Sequence, residues 1–461
     1  MKNEEDPAMA DQTTQRLARF ILDTELQDLP AGVQHEAVRT FVNWMGCTLG
    51  GSTHPSTRMA VDVTQEFAGP ASATLIGIDR RFDALNTAFI NSLSSSANSF
   101  DDTHLATVIH PTGPVAATVF ALAERMAARD EKMSGEDLQL AIALGIEVAC
   151  QLGVALLVPP AKGQLGWYMT GVAAGMGAAA AAARVLGLSH EQTCWALGLA
   201  GNQASGFRQT HGSMCTSFVP GHAARCGMYA ALMAQGGITA SLGAIEGVNG
   251  YAQLFSVAPN LDAITNNLGK VWELLSNAYK PYPSGIVIHP VIDAALALHT
   301  NDAFSAETIE RIDVEVNPLC LTLCDRPAPA SDQDGQVSLQ HWTAVTLLRG
   351  KAGLAEGALE AVLDADVIAM RARVQPHPTQ GIERDGARVT LTLRNGTTIS
   401  EFIEHASGSL DRPMSDDALA DKFLDQAGVV LDSERAKQLL GLCQQLPQLD
   451  DVAQLGPLTL A

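Results

Sequence analysis

The sequence predicts a mainly α protein in which a smaller α+β domain is inserted into a large all-helical domain. Apolar residues recur at helical spacing through residues 12 to 275, without strict alternation. After residue 280 alternating runs appear, and from Ser415 the helical pattern returns. The predicted bounds are 12–276 for the helical domain, 277–411 for the α+β domain and 412–461 for C-terminal helices that return to the helical domain.

The helical region begins with two amphipathic patterns, TTQRLARFILDTEL and VQHEAVRTFVNWMGCTLGG, the second of which ends on a glycine pair. Two later segments, SGEDLQLAIALGIEVACQLGVAL and SHEQTCWALGLAGNQASG, each open with a serine typical of a helix start. The most apolar window, GVAAGMGAAAAAARVLGLS at 171–189, is rich in Ala and Gly, and Arg184 interrupts it. We therefore predict a buried helix there and no membrane span.

The α+β region is predicted from alternation and from one turn signal. ERIDVEVNP (310–318) alternates like a strand. VTLTLRNGTTISEFIEH (389–405) is two alternating runs joined by Asn395-Gly396, a strong hairpin signal. DVIAMRARVQP (366–376) is predicted to supply a further strand, whereas ETIERI and LQHWTAVTLLRG carry helical patterns.

Composition narrows the class of partner and the compartment. The 461 residues carry a net charge of -21 and no Lys/Arg run, which argues against nucleic acid. The eight cysteines are scattered and form no zinc-site spacing, as expected in a reducing compartment. The acidic N-terminus, MKNEEDPAMADQ, is unlike a signal peptide. We expect a cytoplasmic protein with no metal and no membrane contact.

The first candidate site is the polar stretch FDDTHLATVIHPTG, residues 100–113. It separates two helical patterns, and His110 stands where the next helix starts. A helix N-terminus favours neutral imidazole, which can act as a base near neutral pH. Asp101 or Asp102 is a candidate to orient it, with Thr103 beside them. The alternative is that these polar residues only cap helices and form turns.

The second candidate is the Gly-rich segment SGFRQTHGSMCTSFVPGHAARCG, residues 205–227, interpreted as a connection between helices. Its glycines would allow close approach of backbone to a ligand, and Arg208 is suited to clamp a carboxylate. His211, Thr216 and Ser217 are further polar candidates in the same segment. The alternative is a solvated connection.

Two smaller features complete the set. Lys280 lies at the predicted domain boundary in KPYPSGIVIHPVIDAA, followed by His289. A cation at a domain junction is well placed to meet a ligand, although a surface lysine beside a hinge is the alternative. Tyr168 is one of few aromatic residues and precedes the Ala/Gly window, where core packing is the default interpretation.

Taken together, these stretches resemble the MmgE/PrpD family, which includes 2-methylcitrate dehydratases, cis-aconitate decarboxylases and an iminodisuccinate epimerase. The matching segments are FDDTHLATVIHPTG, the Ala/Gly helix, GHAARCG, KPYPSGIVIHPVIDAA and the closing MSDDALADKF. The resemblance implies a helical domain with an α+β lid, a homodimer, and a cleft that binds small di- or tricarboxylates without metal or organic cofactor.

The family's pocket carries over only in part. The matched positions are Asp101, Asp102, Thr103, His110, Lys280 and His289. The positions that depart from the family pattern are Ser99 for an aspartate, Tyr168 for a histidine, Thr216 for a lysine and Gly285 for a histidine. Because potential cations are lost, the resemblance and this charge count together favour a dicarboxylate or a less charged hydroxy acid as substrate.

The predicted function is therefore a cofactor-free lyase that moves a proton α to a carboxylate, with dehydration of a 2-hydroxy carboxylate favoured. His110 would be base or acid, oriented by Asp101 or Asp102, Tyr168 the opposite proton donor, and Lys280 the group that neutralises the carboxylate. The predicted substrate-binding residues are Thr103, Arg208, His211, Thr216, Ser217 and His289. An epimerase, and a non-catalytic carboxylate-binding protein, stay open as alternatives.

Overall fold

The structure is a computed structural model that describes residues 12–164, 166–301 and 305–461. The acidic N-terminal residues that entered the compartment prediction lie outside these ranges, apart from Gln12. The chain is mainly α, as predicted. The helices before residue 280 are α1 (Thr13–Asp23), α2 (Ala31–Gly51), α3 (Pro55–Thr64), α4 (Ala84–Ser96), α5 (Thr112–Ala127), α6 (Gly135–Leu157), α7 (Gly175–Val185), α8 (His190–Gly201), α9 (Cys215–Gln235), α10 (Tyr251–Phe255) and α11 (Leu261–Asn267).

Small residues allow the central helices of this region to pack closely. A Cβ added at Gly177 would lie 2.3 Å from the Gly145 carbonyl oxygen, so α6 and α7 approach at backbone contact. Among the described residues, α6 is long and apolar enough to cross a membrane, yet 89% of its most apolar window is buried inside the protein. It is a core helix, and the Ala/Gly window at 171–189 forms a π turn (Thr170–Ala174) followed by α7.

Two short antiparallel strand pairs interrupt the helical region, where no strand was predicted. They are β1 (Ala73–Thr74) with β2 (Arg81–Phe82), and β3 (Thr103–His104) with β4 (Asn277–Ala278). Two-residue strands are too short to show alternation in a sequence. The second pair matters for the site because it fastens Thr103 to Ala278, close to Lys280.

The segment predicted as a loose Gly-rich connection is helical over most of its length. After a 3-10 turn at Arg208–Thr210, α9 starts at Cys215 and continues through Pro220. Gly221 faces the Phe89 carbonyl oxygen of α4, 2.6 Å from where its Cβ would stand. Close helix packing therefore uses this glycine, and the predicted interpretation of residues 215–227 as a connection was wrong.

The region after residue 280 has its own sheet and apolar core. Strands β5 (Ile309–Val316), β6 (Val374–Pro378), β7 (Ala387–Leu393) and β8 (Thr398–Ile403) are ordered β6-β5-β7-β8, with only β5 and β6 parallel. The β7–β8 hairpin is confirmed, and Gly396 in its turn has φ 83°. The helices are α12 (His289–His299), α13 (Pro318–Cys324), α14 (Asp332–Gln336), α15 (Leu339–Arg349), α16 (Leu354–Gly357), α17 (Leu359–Val362) and α18 (Ala365–Arg371).

Two local predictions in this region were wrong in their bounds. Residues 366–376 were predicted as a strand, but α18 occupies the first half and β6 begins only at Val374. Asp364 caps α18 by accepting from the Asp366 and Val367 backbone N–H groups, which favours the helix. ETIERI, predicted as helical, ends a 3-10 turn and enters β5 at Ile309.

The last helices are α19 (Asp416–Ala427) and α20 (Ser433–Gln444), and they join the first apolar core. Leu419 and Phe423 of α19 belong to the same cluster as Phe41 and Trp44 of α2. A separate cluster holds the residues around the sheet, including Trp342. The two ends of the chain thus build one helical core, and the segment between them builds another.

Candidate active site

The buried side chain of His104 holds the polar stretch at residues 98–110 in place. His104 Nδ1 lies 2.7 Å from Thr107 Oγ1, and its Nε2 lies 2.9 Å from Glu273 Oε2. The His104 N–H donates to the Ile109 carbonyl at 2.8 Å. Together with the β3–β4 pair, these bonds fix the loop that ends on His110.

Asp101 and Lys280 form a buried ion pair at the centre of this loop. Lys280 Nζ donates to Asp101 Oδ1 and to the Ser99 carbonyl, at 3.1 Å in both cases. Both side chains are nearly inaccessible, at 2% exposure for Lys280 and 7% for Asp101. Burial opposes ionisation of Asp101, but the positive charges of His110, when it is protonated, and of Lys280 outweigh burial and hold the pKa of the Asp101 carboxyl below the usual range.

His110 is held through one ring nitrogen. Its Nδ1 lies 2.7 Å from the Asp102 carbonyl oxygen, 3.1 Å from Thr103 Oγ1 and 3.8 Å from Asp101 Oδ1. Because a carbonyl oxygen can only accept, Nδ1 must carry the proton, and Nε2 is left with the lone pair. Burial lowers the pKa of His110, so the imidazole is neutral and basic at Nε2 near neutral pH.

Asp102 contacts His110 through its backbone carbonyl, whereas its side chain binds other residues. Its Oδ2 accepts from Thr112 Oγ1 at 2.5 Å and from Asn277 Nδ2 at 2.6 Å. Burial raises the pKa of this carboxyl to about 6. Of the two aspartates predicted to orient His110, Asp101 is therefore the one whose carboxylate approaches it, at 3.8 Å from Nδ1. The direct hydrogen bond to Nδ1 is made by the Asp102 backbone carbonyl. Neither Thr112 nor Asn277 was a predicted site residue.

Tyr168, His211 and Arg208 lie beside His110. The ring centroids of Tyr168 and His110 are 6.2 Å apart, and those of Tyr168 and His211 are 4.7 Å apart, both edge to face. Burial raises the pKa of Tyr168 above its ordinary value and lowers that of His211 to about 4. Arg208 Nε and His211 Nε2 are buried without a hydrogen-bond partner in the described structure, as expected of groups that await a ligand.

The described contacts of three other predicted binding residues are with other groups, and both ring nitrogens of one of them, His289, have no hydrogen-bond partner among the described residues. Thr216 Oγ1 donates to the Thr210 carbonyl at 3.2 Å, and Ser217 Oγ donates to the Met214 carbonyl at 3.0 Å. Both hydroxyls therefore belong to the first turn of α9. His289 packs edge to face on Tyr282 and lines a separate cavity, and burial lowers its pKa to about 3. No described contact brings these three to His110.

A second buried lysine near the loop was missed. Lys422 of α19 donates to the Phe100 carbonyl at 2.8 Å and to Asn43 Oδ1 at 2.7 Å. The signal was present in the sequence, since positions 419, 422 and 423 lie on one face of a helix, and the lysine stands between the apolar Leu419 and Phe423. Position alone did not show that the face is buried against α2.

The described ranges contain one cluster of potential metal ligands. Three potential ligands, Asp385, His405 and Asp411, have their atoms within 4.8 Å of one another. They lie after the end of β6 and after β8, and the His405 Nδ1 is 2.9 Å from Asp385 Oδ2. The hydrogen bond to Asp385 raises the pKa of His405, so an ion pair accounts for the cluster.

The fold and the site define a class of protein: a helical protein with an inserted mixed sheet and a cluster of Asp, Lys, His and Tyr side chains. The chain belongs to the MmgE/PrpD family, because the family model of the MmgE/PrpD N-terminal domain matches residues 15–263 and that of the C-terminal domain matches residues 282–446. The membership predicted from the sequence is confirmed.

Several relatives align over nearly the whole chain. A cis-aconitate decarboxylase of Aspergillus terreus is 25% identical, with 96% of this chain and 94% of the relative covered. The cis-aconitate decarboxylase of Mus musculus is 26% identical over 97% of this chain and 93% of its own length. The human cis-aconitate decarboxylase is 24% identical, covering 96% and 94%.

Proposed function

We propose that the protein is a lyase that acts on a small carboxylic acid by proton transfer at the carbon α to a carboxylate, and that dehydration of a 2-hydroxy dicarboxylate is its reaction. The observation that carries the proposal is the fixed tautomer of His110. The Asp102 carbonyl holds the proton on Nδ1 and leaves Nε2 as the base. The lyase activity is in keeping with the relatives named as decarboxylases.

Tyr168 is the proposed acid. Its raised pKa keeps the phenol protonated at any physiological pH, so it is a donor rather than a base. His110 takes the proton from the carbon α to the second carboxylate, and Tyr168 protonates the hydroxyl that leaves from the neighbouring carbon as water. A carbon–carbon double bond forms, and proton exchange with solvent restores both residues. Because two bases are needed to invert a stereocentre by this route, Tyr168 favours elimination over epimerisation.

Arg208 and His211 are the proposed contacts for the substrate carboxylate. Arg208 Nε and His211 Nε2 are buried and have no hydrogen-bond partner among the described residues, and a carboxylate would satisfy both. Lys280 is covered by Asp101, so we propose that it acts on the site through its charge rather than by direct contact. This changes the role that the sequence predicted for Lys280.

Dehydration rather than decarboxylation is proposed from the charge of the pocket. Tyr168, Thr216 and Gly285 occupy positions where the resemblance implies two histidines and a lysine, and Gly285 packs against Cys324 instead. Fewer cations favour a substrate with fewer carboxylates. The relatives that are named as acting on cis-aconitate make decarboxylation the second candidate.

The sheet-containing region is proposed to close over this site. Its α14 already contacts the helical region, since Gln336 Nε2 donates to the Ala97 carbonyl at 3.1 Å and Gln333 Nε2 lies 3.1 Å from His54 Nε2. A Cβ on Gly212 would be 3.2 Å from Asp334 Oδ1, which places the loop carrying Arg208 and His211 against α14. The homodimer and the cytoplasmic location stay predictions.

A substrate panel tests the reaction. Purified protein is incubated in D₂O with 2-hydroxy di- and tricarboxylates and with cis-aconitate, and products are followed by ultraviolet absorbance, released CO₂ and mass. An unsaturated acid formed without CO₂ supports dehydration. Release of CO₂ from cis-aconitate at a higher rate than any dehydration contradicts it in favour of decarboxylation. Deuterium in recovered substrate alone indicates an epimerase, and binding without turnover indicates a non-catalytic protein.

A further inference from the structure

Lys422 is a buried lysine that the proposed reaction does not yet use. It lies on α19, which packs directly on α2 because Gly46 and Gly50 leave room for it. A Cβ on Gly46 would be 3.1 Å from the Phe423 ring, and one on Gly50 would be 2.9 Å from Gln426 Oε1. This close packing carries Lys422 into the interior at 6% exposure.

The ammonium of Lys422 is bound to the backbone of the candidate active-site loop. It donates to the Phe100 carbonyl at 2.8 Å and to Asn43 Oδ1 at 2.7 Å, and it stands 4.2 Å from the centroid of the Phe100 ring. Cys47 Sγ approaches the same Phe100 carbonyl at 3.2 Å. Side chains of α2 and α19 therefore hold the peptide bond between Phe100 and Asp101 in place.

Lys280 binds the same turn. Lys280 binds the Ser99 carbonyl and the Asp101 carboxylate, so two lysines hold three consecutive residues of the loop. Ser99 has φ 52°, a left-handed conformation that costs free energy for a residue other than glycine. A turn of this kind persists only when surrounding contacts hold it.

If packing were its only role, a lysine at position 422 would be energetically unfavourable. Burial of an ammonium costs free energy, and within the described residues Lys422 forms no ion pair within 4.0 Å of a carboxylate oxygen. A methionine would fill similar space without that cost. What lysine adds is a donor to the Phe100 carbonyl and a positive charge near Asp101 and Asp102, which interact with it electrostatically.

We propose that Lys422 is a positioning residue of the active site. It fixes the Phe100–Asp101 peptide so that the Asp101 carboxylate stays directed at Lys280 and His110, and its charge favours the ionised form of the two aspartates. The proposal rests on the proposed function for its kinetic consequences, but its structural consequence can be measured without a substrate.

The structural test is hydrogen exchange of the peptide covering residues 98–104. Lys422→Met is compared with wild type, with Lys422→Arg, and with Lys437→Met as a control on the exposed side of α20. We expect exchange about tenfold faster or more in Lys422→Met, an intermediate rate in Lys422→Arg, and no change in the control. Unchanged exchange in a folded Lys422→Met protein overturns the proposal, whatever its turnover.

The kinetic test separates positioning from simple loss of stability. We expect Lys422→Met to lower kcat about 10- to 100-fold with little change in KM, because the binding residues Arg208 and His211 are untouched. Loss of the charge raises the pKa of the nearby carboxyls, so the acidic limb of the pH profile moves to higher pH, and Lys422→Arg restores it. The titratable groups that face this region are Asp101, Asp102, His110, Lys280 and Cys47.

A second variant covers the case in which Lys422→Met does not fold. Asn43→Asp keeps the lysine and places a carboxylate next to its ammonium. We expect this carboxylate to draw the ammonium away from the Phe100 carbonyl and to offset the positive charge. The acidic limb is again expected at higher pH, and exchange of residues 98–104 is expected to quicken. Wild-type values of both overturn the proposal. If wild-type protein turns over no substrate of the panel, the proposed function fails while the exchange result still decides the role of Lys422.

Discussion

His110 owes its chemistry to an asymmetry between its two ring nitrogens. A carbonyl acceptor 2.7 Å from Nδ1 fixes the tautomer, and the neighbouring Asp101 carboxylate at 3.8 Å stabilises the imidazolium that forms when Nε2 takes a proton. The adjacent Thr170 Oγ1 accepts from the His110 backbone N–H at 2.9 Å and holds the residue in place. The proposed base is thus positioned by groups to which the proposal assigns no proton transfer.

His110→Asn is expected to lower kcat by roughly 10²–10⁴-fold, the usual scale for a general acid–base residue. Asparagine can still donate to the Asp102 carbonyl, so the loop should keep its shape while the base is lost. The measurement is steady-state turnover of the substrate identified by the panel. His377→Asn, at an exposed position of β6, is the matched control and should behave as wild type. Wild-type turnover in His110→Asn would remove His110 from the mechanism.

Tyr168→Phe tests the second proton-transfer residue. The change removes only the hydroxyl, and the ring contacts with His110 and His211 remain. We expect kcat to fall by roughly 10²-fold, with KM nearly unchanged, since the phenol acts as acid in the reaction step. Wild-type kcat would show that another group protonates the leaving hydroxyl. Retention of activity toward epimerisation only, seen as deuterium in recovered substrate, would assign Tyr168 to elimination.

At the scale of elements, α6 carries a buried acid that couples stability to pH. Glu147 is fully buried, and it accepts from Gln151 Nε2 at 2.8 Å and from the Leu274 backbone N–H at 3.3 Å. Burial raises the pKa of this carboxyl to about 8. Leu274 follows Glu273, whose carboxylate contacts His104. Glu147 therefore binds the segment that holds the candidate active-site loop.

Glu147→Gln should flatten the loss of stability at high pH. The folded protein binds a proton at Glu147 that the unfolded chain releases above about pH 4.5, so the free energy of unfolding falls as pH rises from about 4.5 to about 8. The slope from this group is at most about 1.4 kcal/mol per pH unit. Glutamine removes the titration, and Gln151 Oε1, which has no hydrogen-bond partner in the described part of the chain, can accept from its amide.

The measurement for this variant is urea unfolding between pH 5 and pH 9. The difference in unfolding free energy between the two limits should be smaller in Glu147→Gln than in wild type. Glu136→Gln, on the exposed face of the same helix, should keep the wild-type dependence. An equal pH dependence in all three proteins would mean that Glu147 is ionised in the folded protein.

For the whole molecule, the important feature is that the two ends of the chain share one core. Phe423 lies in the apolar cluster built mainly by residues before 275, and only 1% of it is exposed. The sheet-containing region has its own apolar cluster. In the sequence it lies between the helices before residue 280 and the last two helices. The position of Lys422 depends on the same packing, so the last helices contribute to the core and carry the lysine that is proposed to position the candidate site.

Phe423→Ala is expected to lower the free energy of unfolding by about 3–5 kcal/mol, because a large buried side chain leaves a cavity between α2 and α19. Thermal and urea unfolding followed by circular dichroism measure the loss. Phe402→Ala, at a 44% exposed position of β8, should cost less than about 1 kcal/mol. Equal, small losses in both variants would show that α19 is not part of the main core.

Much of the element content and part of the site could be predicted from the sequence. Helical periodicity and serine caps predicted most of the long helices, although not α9, and Asn395-Gly396 predicted the hairpin, because these signals are local in the chain. Asp101, His110 and Lys280 stood out because polar residues interrupt an apolar sequence. The strand predicted at 366–376 failed because a capped seven-residue helix and a short strand share an apolar pattern there.

The sequence by itself determined the mainly α class and the family, and it predicted the segments that hold the candidate site. Only the tertiary structure decided which groups act on one another. Asn277 reaches Asp102 across 175 positions, and Lys422 reaches Asn43 across 379. The tautomer of His110 depends on a backbone carbonyl, which every residue possesses and no sequence pattern marks. Periodicity reports which face of an element is buried, whereas the partner on that face is set by packing between distant segments.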